Sequence, residues 1–452
     1  MSPALRPEAP EPRAVRYYID LFGCAKNQVD AERMMSFLDG AGWSPAGGAD
    51  DAELIIVNSC GFIEAAKRES INAVLAWRRL YPGKKILLAG CLAQRYAKEL
   101  SESLPEADGL FGVDDISGIA AMANSLAAKK NPPRAKRSPV PFSSRPLLSL
   151  PGSAYVKISE GCGNRCAYCA IPLIRGPLRC RSVPDILEEC RGLLERGIRE
   201  LCIIGQDIGS YASGSSGLPE LLGAIAGLPG RFWVRLLYMH PDHFLLPVLD
   251  LMERDPRFLP YFDIPFQHAS QKILSAMNRR GTSEKYLELA ETVRKRLPAS
   301  VIRSTFLLGF PGETEEDFSS LLDFQEKLSP DWLGCITFSR EEGTPAYAMK
   351  GRVPKKTAAA RKREIEERQT AITGKRMDRF TGRELDVLLE ERIDNYWLGR
   401  LYCHAPEVDG AAVIAGPERP GVKAGEIAPC RVIARRGFDL EIQLTEPFSK
   451  PG

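Results

Sequence analysis

The sequence contains no apolar run approaching the roughly 18 residues that a membrane span requires, so no transmembrane helix is expected. Its opening stretch, MSPALRPEAPEPRAVR, is proline-rich and lacks the apolar core of a secretory signal. A disordered lead-in and a cytoplasmic protein are the expectation. Strong charge of one sign is missing too. The formal net charge is +3 over 452 residues, without the global polybasic character that marks many nucleic-acid binders. There is no internal repeat and no long low-complexity tract. A chain of this length exceeds one ordinary core and implies two or three domains.

Cysteine, in contrast, is plentiful. Twelve thiols in a compartment that disfavours disulfides shift the weight toward metal or redox use. Cys180, Cys190, Cys202, Cys335, Cys403 and Cys430 sit in strand-like or helix-like patterns and read as small buried hydrophobes. The other six form two sets.

Residues 15–128 alternate strand-like and helical stretches, with strands expected at Arg16–Leu21, Glu53–Asn58 and Lys85–Gly90 and a weaker one near Gly109–Val113. This alternation predicts an α/β domain with an open parallel sheet. Residues 129–151, dense in Pro, Ser and basic side chains, read as a linker. In residues 152–378 the alternation resumes, with strands expected at Tyr155–Ser159, Glu200–Gly205, Phe232–Tyr238, Tyr261–Phe266, Val301–Gly309 and Gly334–Ser339. Six successive β/α units predict an open or partial (β/α)6 barrel rather than a closed one of eight. The charged stretch Lys355–Arg379 reads as a solvated connector helix. Residues 379–447 change to short runs, Glu384–Glu390, Trp397–His404, Ala411–Ala415, Glu426–Ala434 and Phe438–Leu444. Five short strands broken by Gly, Pro and Asp fit a small OB-like barrel.

Cys162, Cys166 and Cys169 lie in GCGNRCAYC, just after the first strand of the middle segment. Three thiolates this close in sequence can wrap one metal centre. Structural zinc asks for four ligands, and no fourth Cys or His follows closely, Cys180 being the nearest. A 4Fe-4S cube held by three cysteines leaves one iron open. An open iron can chelate amino and carboxylate groups, which is the arrangement needed to hold S-adenosylmethionine (SAM) and pass an electron to its sulfonium. A zinc knob is the alternative.

Cys24, Cys60 and Cys91 look unrelated, yet each follows an expected parallel strand, in YYIDLFGC, ELIIVNSC and KKILLAGC. The carboxyl ends of strands line one edge of an open α/β sheet, where ligands bind. Gly23, Ser59 and Gly90 precede these thiols and helices follow, giving backbone room and N–H groups for bridging sulfides. The expectation is a second cluster with one open iron; three buried core cysteines are the alternative.

The Cys-x3-Cys-x2-Cys spacing, with Tyr168 before the last thiol, resembles the signature of radical SAM enzymes. Gly205-Gln206-Asp207 stands where those enzymes carry a Gly-Gly-Glu-like motif at the SAM amino group. Gly309 opens GFPGE after the fifth strand and would let backbone approach a ligand closely; Glu313 falls one place from the family spacing. Arg235 and Gln267 stand at or near other strand ends. With Tyr168, Gln206, Asp207 and Gly309 they make an expected ring around one SAM pocket, while His268 reads as a turn histidine.

Two three-cysteine sets in adjacent segments resemble the methylthiotransferases. The resemblance covers nearly the whole chain after residue 15, through GCAKNQVDAE, VNSCGFI, GCLAQRY, KISEGCGNRCAYCAIPLIRGPLRCRS, GQDIGSY, DIPFQHAS, FLLGFPGETEEDF and FSREEGTPA. The C-terminal barrel resembles the TRAM domain that closes these proteins. The resemblance implies two 4Fe-4S clusters and two roles for SAM. One SAM methylates sulfur held at the Cys24, Cys60 and Cys91 cluster. Another is cleaved at the Cys162, Cys166 and Cys169 cluster, and the resulting 5′-deoxyadenosyl radical removes the substrate hydrogen that the methylthio group replaces.

The family divides by substrate, between adenosines of tRNA near the anticodon and an aspartate of small-subunit ribosomal protein twelve. IPFQHAS, APEVDG (Ala405–Gly410) and GCAKNQVDAE, with Ala25 and Gln28 as departures, resemble the ribosomal-protein branch. Gly382 to Leu444 holds eleven Asp/Glu and eight Lys/Arg. A tRNA binder should carry a basic face, whereas an acidic barrel suits a basic ribosomal protein and would present its target loop to the mouth of the SAM barrel. The expected partners are that ribosomal protein and an electron donor such as flavodoxin or ferredoxin, with tRNA less favoured and no membrane. Two other readings stand beside this one: an RNA-binding module with structural zinc, and an iron–sulfur electron carrier.

Overall fold

The computed structural model describes residues 15–127, 141–415 and 422–445. The expected lead-in before residue 15 and residues 129–140 of the expected linker lie outside the described residues. The chain forms two compact units, one of residues up to 61 with 65–146, the other of residues 62–64 with 147 onward.

The first unit holds strands β1 (Val15–Leu21), β2 (Trp43–Pro45), β3 (Leu54–Ser59), β4 (Lys85–Gly90) and β5 (Gly109–Phe111), in the order β2-β1-β3-β4-β5. All pairings are parallel. Every residue of β3 is buried, which is why it opens on the unbroken apolar run Leu54–Val57 rather than on an alternation. The short edge strand β2 carries too few residues to register as a period and escapes the sequence pattern. Strand order reverses between β1 and β3, and such a switch point opens a crevice at the carboxyl edge of the sheet. The end of the stretch expected to be linker is anchored: Arg145 is fully buried and its Nε lies 2.8 Å from Glu32 on the helix Ala25–Gly40.

The second unit begins with β6 (Ser153–Lys157) and a two-residue ribbon, β7 (Ser159–Glu160) against β8 (Arg179–Cys180), which closes the loop between them. Next come β9 (Glu200–Ile204), the small hairpin β10 (Ala212–Ser213) with β11 (Ser216–Gly217), and then β12 (Trp233–Leu236), β13 (Phe258–Asp263), β14 (Val301–Leu308) and β15 (Trp332–Thr337). Six of these form a parallel sheet in the order β15-β14-β13-β12-β9-β6. β6 and β15 are the edge strands of this sheet and do not pair with each other, so the barrel is open, as six units predict. Helices such as Val183–Glu195 and Glu315–Leu328 pack outside it. The latter starts with a capping box of Thr314 and Asp317.

The helix Lys355–Asp378 is not a solvated connector. Ala358, Arg361, Ile365, Gln369, Thr373 and Met377 form a buried stripe. Gln369 Nε2 donates to Pro330 O at 2.9 Å and Thr373 Oγ1 to Asp331 O at 2.8 Å. Polar residues in the stripe hide it from hydrophobic patterning.

The C-terminal barrel is closed, with β16 (Glu384–Ile393), β17 (Tyr396–Leu401), β18 (Ala412–Ala415), β19 (Ile427–Arg436) and β20 (Asp439–Leu444) in the order β16-β17-β18-β20-β19 and β16 paired to β19. It docks toward the amino ends of the six parallel strands. Glu200, first residue of β9, is fully buried between two guanidiniums, Arg235 Nε at 2.7 Å and Arg400 of β17. Arg400 also pairs with Glu390 at 2.7 Å. Trp332 Nε1 donates to Cys403 O at 2.7 Å, and Tyr261 Oη to Asp409 Oδ2 at 2.6 Å. Two expectations change. Arg235 belongs to this interface and not to a pocket ring, because its guanidinium is committed to Glu200 and to Tyr402 O at 2.8 Å. Among the described residues the C-terminal barrel packs at the end opposite the carboxyl-end loops and not at the mouth, the place expected for presenting a target. Among the described residues no helix is long and apolar enough to cross a membrane.

Candidate active site

In the first unit the register aligns Leu21 with Asn58 and Ser59 with Gly90, so β1, β3 and β4 end on one edge. Cys24 sits at the N-cap of the helix Ala25–Gly40, Cys60 follows β3, and Cys91 opens the short helix Cys91–Arg95. The thiols grade from exposed Cys24 through half-buried Cys60 to buried Cys91. Gly23 has φ +101°, and a Cβ there would come within 3.1 Å of Cys60 Cβ, so the chain before Cys24 passes directly against Cys60. Asn27, which sequence reasoning misses, ties the three strand ends. Its Nδ2 donates to Phe22 O at 3.0 Å and Ser59 O at 2.9 Å, and its Oδ1 accepts from Cys91 Sγ at 3.3 Å.

In the second unit Cys162, Cys166 and Cys169 occupy the loop closed by the β7–β8 ribbon. Cys169 N donates to Cys166 O at 3.0 Å and Asn164 N to Cys162 Sγ at 3.4 Å. Burial pushes all three thiols up, Cys169 to about 12. Cys180 Sγ is turned to Ala212 N at 3.3 Å, so it serves the ribbon rather than the triad.

Asp207 holds this loop in place. Its Oδ2 accepts from Asn164 Nδ2 at 2.8 Å and Ser210 Oγ at 2.7 Å and lies 2.6 Å from His243 Nδ1; its Oδ1 accepts from Gly209 N and His240 N. Burial alone would raise its pKa, but the bonds from His243, Ser210 and Asn164 overcome that and hold it at about 2. With so many protein donors Asp207 organises the loop rather than offering a free carboxylate, while Gln206 is half-buried at the same edge. His240 reaches Cys166, with Nε2 3.9 Å from Sγ, and burial, then the charge of Arg279, holds it down to about 4. Tyr168 Oη accepts from Arg279 Nη1 at 3.1 Å. Sequence reasoning passes over Asn164, His240, His243 and Arg279. The signal present is MHPDH, two of four histidines within four residues after a strand end.

Gly309 has φ +75°, and a Cβ there would lie 2.6 Å from Ala358 Cβ. Its N–H donates to Glu313 Oε2 at 2.7 Å, and Glu313 Oε1 accepts from Arg361 at 2.6 Å. Both residues build the turn under the helix Lys355–Asp378. His268 is a turn histidine, its Nδ1 accepting from Ala269 N and Ser270 N.

Among the described residues no three His, Cys, Asp or Glu side chains converge as around a single ion. Three thiols on one loop are the donor set that a 4Fe-4S cube with one open iron would take. Ser159 Oγ and Gln267 Oε1 are buried at strand ends without a hydrogen-bond partner. An open parallel barrel with three thiols on the loop after its first strand is the build of a radical SAM protein.

Residues 156–324 match the Radical SAM superfamily, residues 16–112 the uncharacterized protein family UPF0004, and residues 381–444 the TRAM domain. Among solved structures, the radical SAM methyltransferase TsrM from Kitasatospora setae with tryptophan and a SAM analogue bound shares the fold, with a TM-score of 0.55 at 15% identity over 74% of this chain and 75% of that one. The chain is 46% identical to the ribosomal protein uS12 methylthiotransferase RimO of Treponema denticola, over 94% of this chain and 99% of that protein. It is 39% identical to RimO of Carboxydothermus hydrogenoformans, over 94% and 99%, and 37% identical to RimO of Thermotoga maritima, over 90% and 95%. The chain belongs to the RimO family of radical SAM methylthiotransferases, enzymes that transfer sulfur-containing groups.

Proposed function

We propose that the chain adds a methylthio group to an aspartate of ribosomal protein uS12, in the cytoplasm. The observation that carries this reading is the similarity to uS12 methylthiotransferases over nearly the full length of both chains. A cube bound by Cys162, Cys166 and Cys169 would supply one electron to the sulfonium of SAM. Asp207 and Asn164 fix that loop, and the buried polar atoms of Ser159 and Gln267 are suited to orient SAM. Cys24, Cys60 and Cys91, aligned by Asn27, would hold a second cluster that carries the sulfur. The reading divides the chain into residues 15–128, 152–378 and 379–447 and requires a one-electron donor such as flavodoxin or ferredoxin.

Charge on the C-terminal barrel supports the protein substrate less than its composition suggests. Glu390 and the carboxylate of Asp409 are buried in the interface, so fewer acids face outward. Reversing Glu390 would therefore test folding; Glu384 and Glu391 are exposed and suit a docking test. Deleting the barrel would bare Glu200 and Arg235, so it too confounds docking with stability. The direct experiment offers the reconstituted enzyme uS12 and tRNA together with SAM, sulfide and reductant. Methylthio gain on uS12 is expected; gain on tRNA alone would overturn the substrate assignment.

A further inference from the structure

Six arginines are buried among the described residues. Five meet a carboxylate: Arg145 with Glu32, Arg175 with Glu160, Arg235 and Arg400 with Glu200, and Arg361 with Glu313. Arg279 is the exception. It is 4% exposed. Its Nη1 donates to Tyr168 Oη and its Nη2 to Pro265 O at 2.7 Å, while Nε has no partner. Neither acceptor carries a charge. An unpaired buried guanidinium is costly, so its place in the fold calls for an anion.

The surroundings identify that anion. Ala167 N donates to Met277 O at 2.9 Å, and Asn278 Nδ2 donates to Arg165 O at 2.8 Å. The segment that carries Arg279 is thus stitched to the cysteine loop on both sides of Cys166. From another element His240 Nδ1 accepts Asp242 N–H at 3.2 Å, which leaves the ring hydrogen on Nε2, facing Cys166 Sγ. Cys166 therefore has a buried cation and an N–H donor nearby.

We propose that Arg279 is the buried counter-charge of the cluster held by Cys162, Cys166 and Cys169, and that it raises the reduction potential of that cluster. The inference rests on that cluster assignment. Metal binding turns the three thiols into thiolates, and uptake of one electron from a one-electron carrier makes the centre one unit more negative. A buried positive charge favours the reduced form, because net charge and hydrogen bonds to sulfur set such potentials. Arg279 acts as a positioning residue and does not need to touch substrate.

The test is a mediated redox titration of the reconstituted full chain carrying Cys24→Ala, Cys60→Ala and Cys91→Ala, so that one centre is read. Arg279→Gln is expected to move the midpoint to more negative potential, with about a tenfold drop in the reduced-to-oxidised ratio at fixed potential, ~59 mV for one electron. Arg279→Lys keeps the charge and is expected to titrate near the parent. An Arg279→Gln midpoint equal to the parent's overturns the inference. If Arg279→Gln takes up no iron, Arg279→Lys decides: assembly with the parent midpoint supports the counter-charge, and failure to assemble overturns it in favour of a purely structural side chain. A parent that takes up no iron overturns the cluster assignment itself.

Discussion

The two cysteine triads are built in opposite ways. Cys162, Cys166 and Cys169 share one loop, pinned at its base by a two-residue ribbon and along its length by Asp207. Cys24, Cys60 and Cys91 come from three strand ends, brought to one edge by parallel register and tied by Asn27. The first site takes its three thiols from one short stretch of sequence, and Asp207 holds that stretch from 43 residues away. The second exists only when its whole sheet has folded. Under the proposed function such a difference would suit separate duties, one centre on the loop after the first strand of the open barrel, the other at the switch point of an open sheet.

Separate duties predict separable losses, and the largest effect is expected in the loop triad. Cys162→Ala should abolish SAM cleavage to 5′-deoxyadenosine. Cys24→Ala should spare part of that cleavage and lose methylthio insertion. Chromatography of the nucleoside product together with mass spectrometry of the substrate reads both; wild-type cleavage by Cys162→Ala would break the comparison.

A control outside both triads sharpens it. Glu200→Gln leaves Arg235 and Arg400 without their shared counter-charge, at an expected cost of about 3–5 kcal/mol in denaturant unfolding. Burial alone would raise the Glu200 pKa, but Arg400 and Arg235 hold it down to about 2. A depressed carboxyl contributes stability above its unfolded value and loses it as pH falls through the folded one. The gap between wild type and variant should therefore hold from neutral pH to roughly 4 and close toward 2, with the unfolded Glu near its ordinary value. A gap that closes at neutral pH would contradict the ionised assignment.

A smaller effect is expected at Asn27→Ala. The buried Ser59 carbonyl and the part-buried Phe22 carbonyl lose their donor, for about 1–3 kcal/mol in the first unit, and iron uptake there should fall while SAM cleavage persists. Equal iron content in the variant and the parent would show that register alone aligns the strand-end triad.

The placement of the loop cysteines is legible in sequence because all three lie in one short segment. The placement of Cys24, Cys60 and Cys91 on one sheet edge is legible because neighbouring parallel strands end together. What holds either site is not legible. Asn27, Asp207 and Arg279 act across 32, 43 and 111 residues of chain, and no spacing reports such partners. Arg235 is misread for a related reason: a strand position does not say toward which end a long side chain reaches, and only Glu200 and Tyr402 O reveal it. The buried stripe of the helix Lys355–Asp378 is hidden by Arg361, Gln369 and Thr373, whose polarity masks their burial.

Iron content tests the division between the triads most directly. The reconstituted full chain should hold about eight irons, two cubes, and the chain with Cys24, Cys60 and Cys91 all replaced by Ala should hold about four and still produce 5′-deoxyadenosine. A triple variant that keeps the full content, or one that loses iron and SAM cleavage together, would contradict two separate centres.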